Sequence, residues 1–596
     1  MIKSLKELYF ILDPLTKLHF AVLMIPMAVT IAVEVFSIGL ILPLIQILLI
    51  GEEEGPFTQI IVSLLPMKLD EGLEIYVMLL FALVFCLKNL LFLGMVLIIN
   101  LVVGNKTAIF GQRLFNVYVS LPLEYHFNNN SASMIVNIRT SVGLTMDSVR
   151  LILMTILDFM MTIGIFALLV FHQAEASFIA LLAFGAIGLF YYKYFSPILQ
   201  RWGRLNLELE QTLVKWIAQT FDNIRNVKIM RYRSYLGDKI LEIGKSKYLF
   251  DTLSKTSIQI PRLILEISMV LGCLIIVVYL KSEGNTSNDI IYTLGLFGMA
   301  ALRLMPSLSR ILTTAAELRR NSAHITKVFD SFAAVPEGEY PRSEKNPIIP
   351  LPFSQSFELK NISYTYPGAT RPSLNNINLS IKKGERIGFV GMSGAGKSTL
   401  LDVILGLLRP SVGQVLADGT NILENLESWQ ATIGFVPQDV FLLDDTIINN
   451  VAFGIPVEEI NLDQVNSCLR LAKLDNFIDT LPLGENTVIG ENGARISGGQ
   501  KQRLAIARAL YSSPQVLIFD EATSELDNLT EQEITLSLGS VSKDKTILIV
   551  AHRLTTVRQC DRIVFFIDGV VRAIGTFSEL MDSCIEFNEL ASVDGK

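Results

Sequence analysis

Six apolar stretches in the first half of the chain constrain its fold most strongly. Each is long enough to cross a bilayer as a helix, which takes about 20 residues. The stretches are 19–50, 74–103, 151–171, 175–196, 258–280 and 290–312. Lipid offers the peptide backbone no hydrogen-bond partner, so segments of this kind have to be α-helical. The sequence therefore predicts an all-α membrane domain with six spans, over residues 1–325.

Composition agrees with a membrane location and disfavours one class of partner. Of the 596 residues, 51% are hydrophobic and 18% are charged, whereas soluble globular chains carry about 25% charged residues. The net charge of −7 disfavours nucleic acid as the main partner, because an excess of cations is needed to hold its phosphates. The five cysteines lack the spacing of a metal site, and we expect them to be free thiols.

The distribution of lysine and arginine predicts the orientation in the membrane. Basic residues concentrate before the first span and in the segment 201–255, whereas the first loop between spans is acidic over Gly51–Gly55. Basic loops stay on the cytoplasmic side, so both termini are expected there. Long amphipathic segments after the second and fourth spans are predicted to project into the cytoplasm as helices. In the first outer loop, the apolar piece Pro56–Pro66 fits a helix on the membrane surface and a loop packed on the spans equally well.

The second half of the chain has the pattern of a soluble α/β domain. Residues 326–354 are predicted to be a linker, because Pro, Glu and Ser are frequent there. Beyond it, strand-like runs such as Ile433–Val436, Val516–Phe519 and Thr546–Val550 alternate with helical patterns. This alternation predicts a largely parallel central sheet, over residues 355–596.

The segment Gly391–Thr399 reads GMSGAGKST and fits the pattern of a phosphate-binding loop. A predicted strand, 386–390, precedes it and a predicted helix, 400–405, follows. In that context the glycines let backbone N–H groups close on phosphate oxygens at a helix N-terminus. The loop residues expected to contact a nucleotide are Gly391, Ser393, Gly394, Ala395, Gly396, Lys397, Ser398 and Thr399. Among them, Lys397 is expected at the β- and γ-phosphates and Ser398 at Mg²⁺.

A second motif separates this domain from kinases and GTPases. Residues 496–503 read ISGGQKQR, which resembles the signature sequence of the ABC transporter family, with Ile496 where leucine is usual. The order of membrane domain and motor in one chain is similar to that of type IV exporters. The resemblance implies an ATPase that uses ATP with Mg²⁺. It also implies that Ser497, Gly498, Gly499 and Gln500 contact the nucleotide of another subunit, so that the working unit is a homodimer.

The same resemblance assigns roles to five further residues. Tyr366 matches the aromatic residue that stacks on adenine, and Gln438 matches the glutamine that touches Mg²⁺ and faces the membrane domain. Asp520 matches the residue that holds Mg²⁺ through water. Glu521 matches the general base that polarises the attacking water, and His552 matches the histidine that contacts the γ-phosphate.

Three more segments resemble exporter features. Ser524–Asp527 matches the loop at the dimer interface, with Glu525 where alanine is usual. Thr487–Gly493 is similar to a cross-talk loop that precedes the signature. Tyr125–Ser131 is similar to the first cytoplasmic coupling segment, through which the membrane domain contacts the motor.

Basic residues inside the apolar stretches suggest the cargo. Lys88, Arg262 and Arg303 lie in such stretches, and a cation at the bilayer centre costs about 2.5–3.5 kcal/mol on insertion scales. One interpretation is a cavity that binds a phosphate or pyrophosphate. The alternative is internal pairing, because Glu34 and Glu266 also lie in apolar stretches and would neutralise two of the cations.

The membrane domain is similar to that of bacterial flippases for lipid-linked oligosaccharides. The similarity includes Glu34, Arg262 and the segment Ala301–Ser307, and Lys88 stands where those flippases have arginine. It implies ATP-driven movement of a polyprenyl-pyrophosphate glycan from the cytoplasmic to the outer face of a bacterial inner membrane. A lipid A-type flippase, a drug or peptide exporter, and an ATP-gated channel are the alternatives.

Overall fold

The computed structural model describes residues 2–39, 73–172, 174–282, 287–334, 349–521, 545–551 and 553–594. These residues form two compact units. The first unit comprises Met1–Leu121 and His126–Arg342, and the second comprises Pro122–Tyr125 and Ser343–Lys596. The predicted surface segment Pro56–Pro66 lies outside the described residues.

The first unit is helical throughout its described part. Its helices are α1 (Ile2–Ile11), α2 (Pro14–Gly39), α3 (Leu73–Ser120), α4 (Leu123–Asn128), α5 (Ser131–Val136), α6 (Val142–His172), α7 (Ala174–Asp222), α8 (Ile224–Ile229), α9 (Arg233–Ser257), α10 (Ile260–Ser282), α11 (Ser287–Arg320) and α12 (Ser322–Ala333), and a π-helix, Asn137–Ser141, joins α5 to α6. Helix α4 is divided between the two units. Pro122, which precedes it, and its first three residues, Leu123–Tyr125, are counted with the second unit.

Three described helices are long and apolar enough to cross a membrane, over Pro14–Ser37, Phe81–Ser120 and Ser131–Ala167. Helices also cover the other three predicted spans, within α7, α10 and α11. The helical character of the apolar stretches is therefore confirmed where the structure describes them, which for the first stretch is 19–39, whereas the number of six spans stays a prediction. The predicted linker begins inside α12, which continues to Ala333 because Ile325, Val328 and Phe332 are buried against the rest of the first unit.

Close packing between α7 and α11 depends on one glycine. A Cβ atom added to Gly203 would lie 2.0 Å from the carbonyl oxygen of Arg320. The two backbones therefore approach more closely than any side chain at position 203 would allow.

Buried polar side chains join three elements, namely α3, the π-helix Asn137–Ser141 and α12, and we call this cluster the polar junction. The Asn137 amide donates to the Tyr118 hydroxyl at 2.9 Å, and that hydroxyl lies 2.7 Å from Ser331 Oγ. Ser141 Oγ lies 3.0 Å from Nδ1 of His324. All five side chains are buried, and the π-helix places Asn137 and Ser141 on the side of the helix that faces α12. The junction fixes α12 to α3 and to the π-helix by hydrogen bonds that pure apolar packing would not specify.

The second unit is an α/β domain with two sheets. Its strands are β1 (Ser356–Tyr364), β2 (Leu374–Lys382), β3 (Arg386–Gly391), β4 (Val412–Ala417), β5 (Thr420–Asn421), β6 (Ile433–Val436), β7 (Val516–Asp520), β8 (Thr546–Val550), β9 (Arg562–Ile567) and β10 (Val570–Gly575). Its α-helices are α13 (Lys397–Ile404), α14 (Leu426–Gln430), α15 (Ile447–Val451), α16 (Leu462–Leu471), α17 (Asp475–Asp479), α18 (Gly498–Tyr511), α19 (Leu554–Val557), α20 (Phe577–Ser583) and α21 (Ile585–Asp594).

The larger sheet has the strand order β10-β9-β3-β8-β7-β6. Its strands are parallel except for the β9–β10 pair, which confirms the predicted, largely parallel sheet. The smaller sheet, β2-β1-β4-β5, is antiparallel. Because the carboxyl ends of parallel strands meet at one edge, the segments after β3, β6, β7 and β8 are brought together there.

Candidate functional site: a nucleotide site at one edge of the parallel sheet

The phosphate loop connects β3 to α13 in the predicted way. Its last glycine, Gly396, has φ +99° and precedes the first residue of α13. A Cβ atom at this position would lie 2.6 Å from the carbonyl oxygen of Ser373, so only glycine fits. Ser398 is exposed in the first turn of α13, where backbone N–H groups without helical partners point out of the helix. This arrangement suits an anion such as a triphosphate.

Lys397 lies folded along the same loop. Its Nζ donates hydrogen bonds to the carbonyl oxygens of Gly391 at 2.8 Å and Met392 at 3.1 Å. Burial lowers the pKa of this ammonium, and the nearby carboxylates of Glu521 and Asp520 oppose that shift. The cation is thus held between the loop and the two acidic residues that follow β7.

Two predicted catalytic residues from different strands meet at this edge. The Gln438 amide Nε2 donates to Oε2 of Glu521 at 2.8 Å. Glu521 comes directly after β7 and has φ +50°, a conformation that costs a non-glycine residue free energy. Its backbone N–H donates to the carbonyl of Val550 at 3.0 Å, which anchors it to β8. A side-chain amide that donates through nitrogen still accepts through oxygen, so Gln438 is able to touch a cation and the carboxylate together.

The oxygen donors of this site fit the predicted magnesium. The Ser398 hydroxyl, the Asp520 carboxylate and the Gln438 amide oxygen are all hard ligands, of the kind that Mg²⁺ prefers. Sequence reasoning missed one neighbouring carboxyl, Asp402, which lies one turn after Ser398 in α13. Burial raises the pKa of Asp402 to about 6, and the charge of Asp520 adds to the effect. Asp402 follows Ser398 by four residues, so a helix in this segment places both side chains on the same face, and this spacing could have identified Asp402 from the sequence.

Tyr366 occupies the edge of the site, after β1. Its hydroxyl lies 3.2 Å from Thr399 Oγ1 of the phosphate loop. Its half-buried ring packs edge-to-face on Tyr364, with ring centroids 5.0 Å apart. The predicted adenine contact is therefore placed next to the phosphate loop, and its neighbour Tyr364 was not foreseen from the sequence.

The signature residues start helix α18. Ser497 is its N-cap, and Ser497 and Gln500 form a reciprocal capping box with distances of 3.3 and 2.8 Å. Gly498 and Gly499 form the first turn, so backbone N–H groups and the exposed Ser497 side chain face outward. This helix N-terminus is suited to grip a phosphate. The predicted site residue His552 and the segment Ser524–Asp527 lie outside the described residues.

The intramembrane cations are arranged largely as in the ion-pair alternative. Lys88 Nζ lies 2.9 Å from Oε1 of Glu34, and the side chains are 2% and 4% exposed. Arg262 pairs with Glu266 at 3.0 Å on the exposed surface of α10. The side chain of Arg303 lies outside the described part of the chain.

A third pair was not predicted. The Arg310 guanidinium contacts both carboxylate oxygens of Asp158, from α11 to α6. Asp158 is buried, and Ser307 also accepts a hydrogen bond from Arg310, at 3.3 Å. The sequence offered two signals, the acidic Asp158 inside the third apolar stretch and the basic Arg310 inside the sixth, but it did not pair them.

Comparisons with known proteins agree with this site. Residues 374–524 match the family model described as ABC transporter. The chain is 30% identical over 484 residues to an ATP-dependent lipid A-core flippase of Dechloromonas aromatica, covering 80% of this chain and 81% of that protein. It is 38% identical over 281 residues to a flippase of the same description from Salmonella typhimurium, where the match covers 47% of each chain. The chain thus matches about half the length of the Salmonella relative.

A solved structure has the same fold. It is described as a bacterial Atm1-family ABC exporter with ATP bound, and it superposes with a TM-score of 0.77 over 98% of each chain at 20% identity. The fold is therefore that of an ABC exporter, with a helical membrane part and an ATPase domain in one polypeptide. Together with the identity to the Dechloromonas protein over four fifths of both chains, this shows that the chain belongs to the ABC transporter family.

Proposed function

We propose that the protein is an ATP-driven flippase that moves an anionic, glycosylated lipid from the cytoplasmic to the outer face of a bacterial inner membrane. The observation that carries this proposal is the meeting of Lys397, Gln438 and Glu521 at one sheet edge in a chain with an exporter fold. Relatives described as lipid A-core flippases support a lipid A-type cargo. A lipid-linked oligosaccharide is the second candidate, because its pyrophosphate offers the same charge.

Hydrolysis is assigned to the residues at the sheet edge. The loop N–H groups and Lys397 hold the β- and γ-phosphates, and Glu521 accepts a proton from the water that attacks the γ-phosphorus. The bond between that phosphorus and the bridging oxygen breaks, which gives ADP and phosphate. Ser398, Asp520 and Gln438 would hold Mg²⁺, which when bound would neutralise phosphate charge. The hydrogen bond from Gln438 keeps the Glu521 carboxylate aimed at the site, and His552 is proposed to contact the γ-phosphate.

The working unit is proposed to be a homodimer with both termini in the cytoplasm. Each chain contributes one phosphate loop, and Ser497 with its neighbours would grip the nucleotide of the partner. A cargo role for Lys88, Arg262 and Arg303 remains part of the proposal. An anionic headgroup would have to compete with Glu34 for Lys88 and with Glu266 for Arg262, so binding would exchange one carboxylate partner for a phosphate.

Reconstitution in proteoliposomes tests the proposal. Fluorescent lipid A and a fluorescent polyprenyl-pyrophosphate glycan are placed in separate vesicle preparations. After ATP is added, the fraction of each lipid that has moved to the opposite leaflet is measured. We expect movement of at least one of them, and none with Glu521→Gln. ATP hydrolysis without movement of either lipid would contradict a glycolipid cargo, whereas movement of the glycan alone would favour the second candidate.

A further inference from the structure

Four residues from the N-terminal half of the chain are folded into the ATPase unit. Pro122–Tyr125 belong to the second unit, and the chain reaches them from Leu121 and returns to the first unit at His126. They contain the start of α4, whose Leu123 packs against the apolar core of the second unit, to which β1, β2 and α13 contribute. Whatever displaces this segment therefore acts on the ATPase domain through the few residues that it contacts.

One of these contacts is polar and leads to Tyr364 at the end of β1. The Tyr364 hydroxyl donates to Oε1 of Glu124 at 3.3 Å. The Tyr364 side chain is only 3% exposed. Burial and the Glu124 carboxylate both raise the pKa of this phenol, so it keeps its proton and remains a donor at neutral pH.

Tyr364 in turn contacts Tyr366, the residue that is expected to stack on the nucleotide's adenine base. Its ring meets Tyr366 at an interplanar angle of 87°, with 5.0 Å between the centroids. At its other end, Tyr366 approaches Thr399 of the phosphate loop at 3.2 Å between the hydroxyl oxygens. An aromatic side chain fixed at both its ring edge and its hydroxyl has one orientation, whereas an isolated surface tyrosine samples several rotamers.

We propose that Tyr364 is a positioning residue for the nucleotide base, which links the placement of Glu124 to the orientation of the Tyr366 ring. The inference rests on the proposed function, because it takes Tyr366 as the residue that stacks on the base. Because linkage is reciprocal, base binding stabilises the docked position of Pro122–Tyr125 by the same factor by which docking strengthens base binding. The phosphate contacts of Lys397 are outside this linkage.

The test compares a ligand that has a base with one that lacks it. Affinities of the full-length protein for ATP and for inorganic triphosphate are measured for wild type, Glu124→Ala, Tyr364→Phe and the double variant. Each single change is expected to weaken ATP binding about two- to tenfold, as for one lost hydrogen bond. Triphosphate affinity should stay unchanged, and the double variant should lose no more than either single one. Tyr118→Phe, which removes an equally buried hydroxyl in the first unit, should alter neither affinity.

Several results would overturn the linkage. These are equal losses for ATP and triphosphate, unchanged ATP affinity in Glu124→Ala, and an additive loss in the double variant. Since Tyr364→Phe keeps the ring and its volume, the fold is expected to survive, and a thermal unfolding curve verifies this. Lys397→Ala separates the two proposals because it should weaken both ligands. A wild-type protein that bound neither ligand would overturn the proposed function itself, and the linkage with it.

Discussion

At the scale of single residues, the ATPase site relies on side chains that constrain one another. Gln438 donates to Glu521, and Glu521 is held in a left-handed backbone conformation by its N–H bond to β8. A carboxylate fixed in this way does not have to be reoriented when water is polarised, which is the condition for efficient general-base catalysis. We therefore expect Lys397 to bind the phosphates and Glu521 to polarise the water, so that each role can be removed without the other.

Glu521→Gln tests this separation. The amide has the shape of the carboxylate but does not accept the proton, so we expect hydrolysis to fall at least about 100-fold. ATP affinity should change little, because the phosphate contacts of Lys397 remain. Phosphate release and equilibrium ATP binding are the two measurements, with Lys397→Ala as the control that loses binding. Hydrolysis near the wild-type rate would show that another group is the base.

At the scale of elements, a buried ion pair joins two helices of the first unit. Lys88 on α3 and Glu34 on α2 are both almost fully buried, whereas Arg262 and Glu266 lie on the surface of one helix, 62% and 40% exposed. Breaking a buried pair by removing one charge leaves the other without compensation, which costs about 3–5 kcal/mol. An exposed pair contributes about 0–1 kcal/mol.

Lys88→Met is therefore expected to lower the thermal midpoint of the detergent-solubilised protein strongly, and Lys88→Met with Glu34→Met to restore most of it. Arg262→Met is the matched control and should have little effect. The thermal midpoint is measured from the intrinsic fluorescence of each variant during heating. If the double variant were no more stable than Lys88→Met alone, Glu34 would not be the partner that matters.

The polar junction between α3, the π-helix and α12 predicts a pH dependence of stability. Burial, with a smaller effect of the Arg320 charge, lowers the pKa of His324 to about 4, whereas an exposed histidine titrates near 6.5. The folded protein holds His324 neutral, so between these values the unfolded chain binds more protons. Stability is thus complete above about pH 6.5 and falls as the pH drops toward 4.

Between pH 7 and pH 5 this residue should remove about 2 kcal/mol from the free energy of unfolding. His324→Gln keeps a polar partner for Ser141 but does not titrate, so its loss of stability over the same range should be smaller by about that amount. Urea unfolding in detergent at the two pH values measures it. An identical pH dependence in the variant would show that His324 is not the titrating group.

At the scale of the whole molecule, the chain has one phosphate loop and one signature, and each forms the N-terminus of its own helix, α13 and α18. The proposed site, composed of the phosphate loop of one copy and the signature of another, would make two copies necessary. This arrangement also predicts how defects combine across subunits.

A mixed dimer with Lys397→Ala in one subunit and Ser497→Arg in the other keeps one complete composite site and should retain measurable ATPase activity. A wild-type subunit paired with a subunit that carries both changes has a defect in each composite site and should be much less active. Differently tagged subunits allow both dimers to be purified and assayed for phosphate release. The reverse order of activities would show that each chain builds its own complete site.

The sequence by itself determined the features whose chemistry is local. Apolar runs specify helices in lipid, glycines at fixed positions specify the phosphate loop, and Ser497 with Gln500 specifies a capped helix. Each needs only neighbours within a few residues, so strands β3, β6, β7 and β8 were predictable, as was a helix after the phosphate loop, although α13 begins at Lys397 rather than at Leu400. The sequence alone could not decide whether the cations in the apolar stretches bind a phosphate of the cargo or pair with Glu34 and Glu266, because both interpretations use the same cations.

The tertiary structure decided every contact between residues distant in sequence. Glu34 and Lys88 are 54 residues apart, Gln438 and Glu521 83, Asp158 and Arg310 152, and Glu124 and Tyr364 240. Which carboxylate reaches which cation depends on strand order and helix packing, and these follow from the burial of the whole chain. The individual residues therefore indicated an ATPase in a membrane protein, whereas only the fold showed that Lys88 is neutralised by Glu34 and that Glu124 accepts a hydrogen bond from Tyr364.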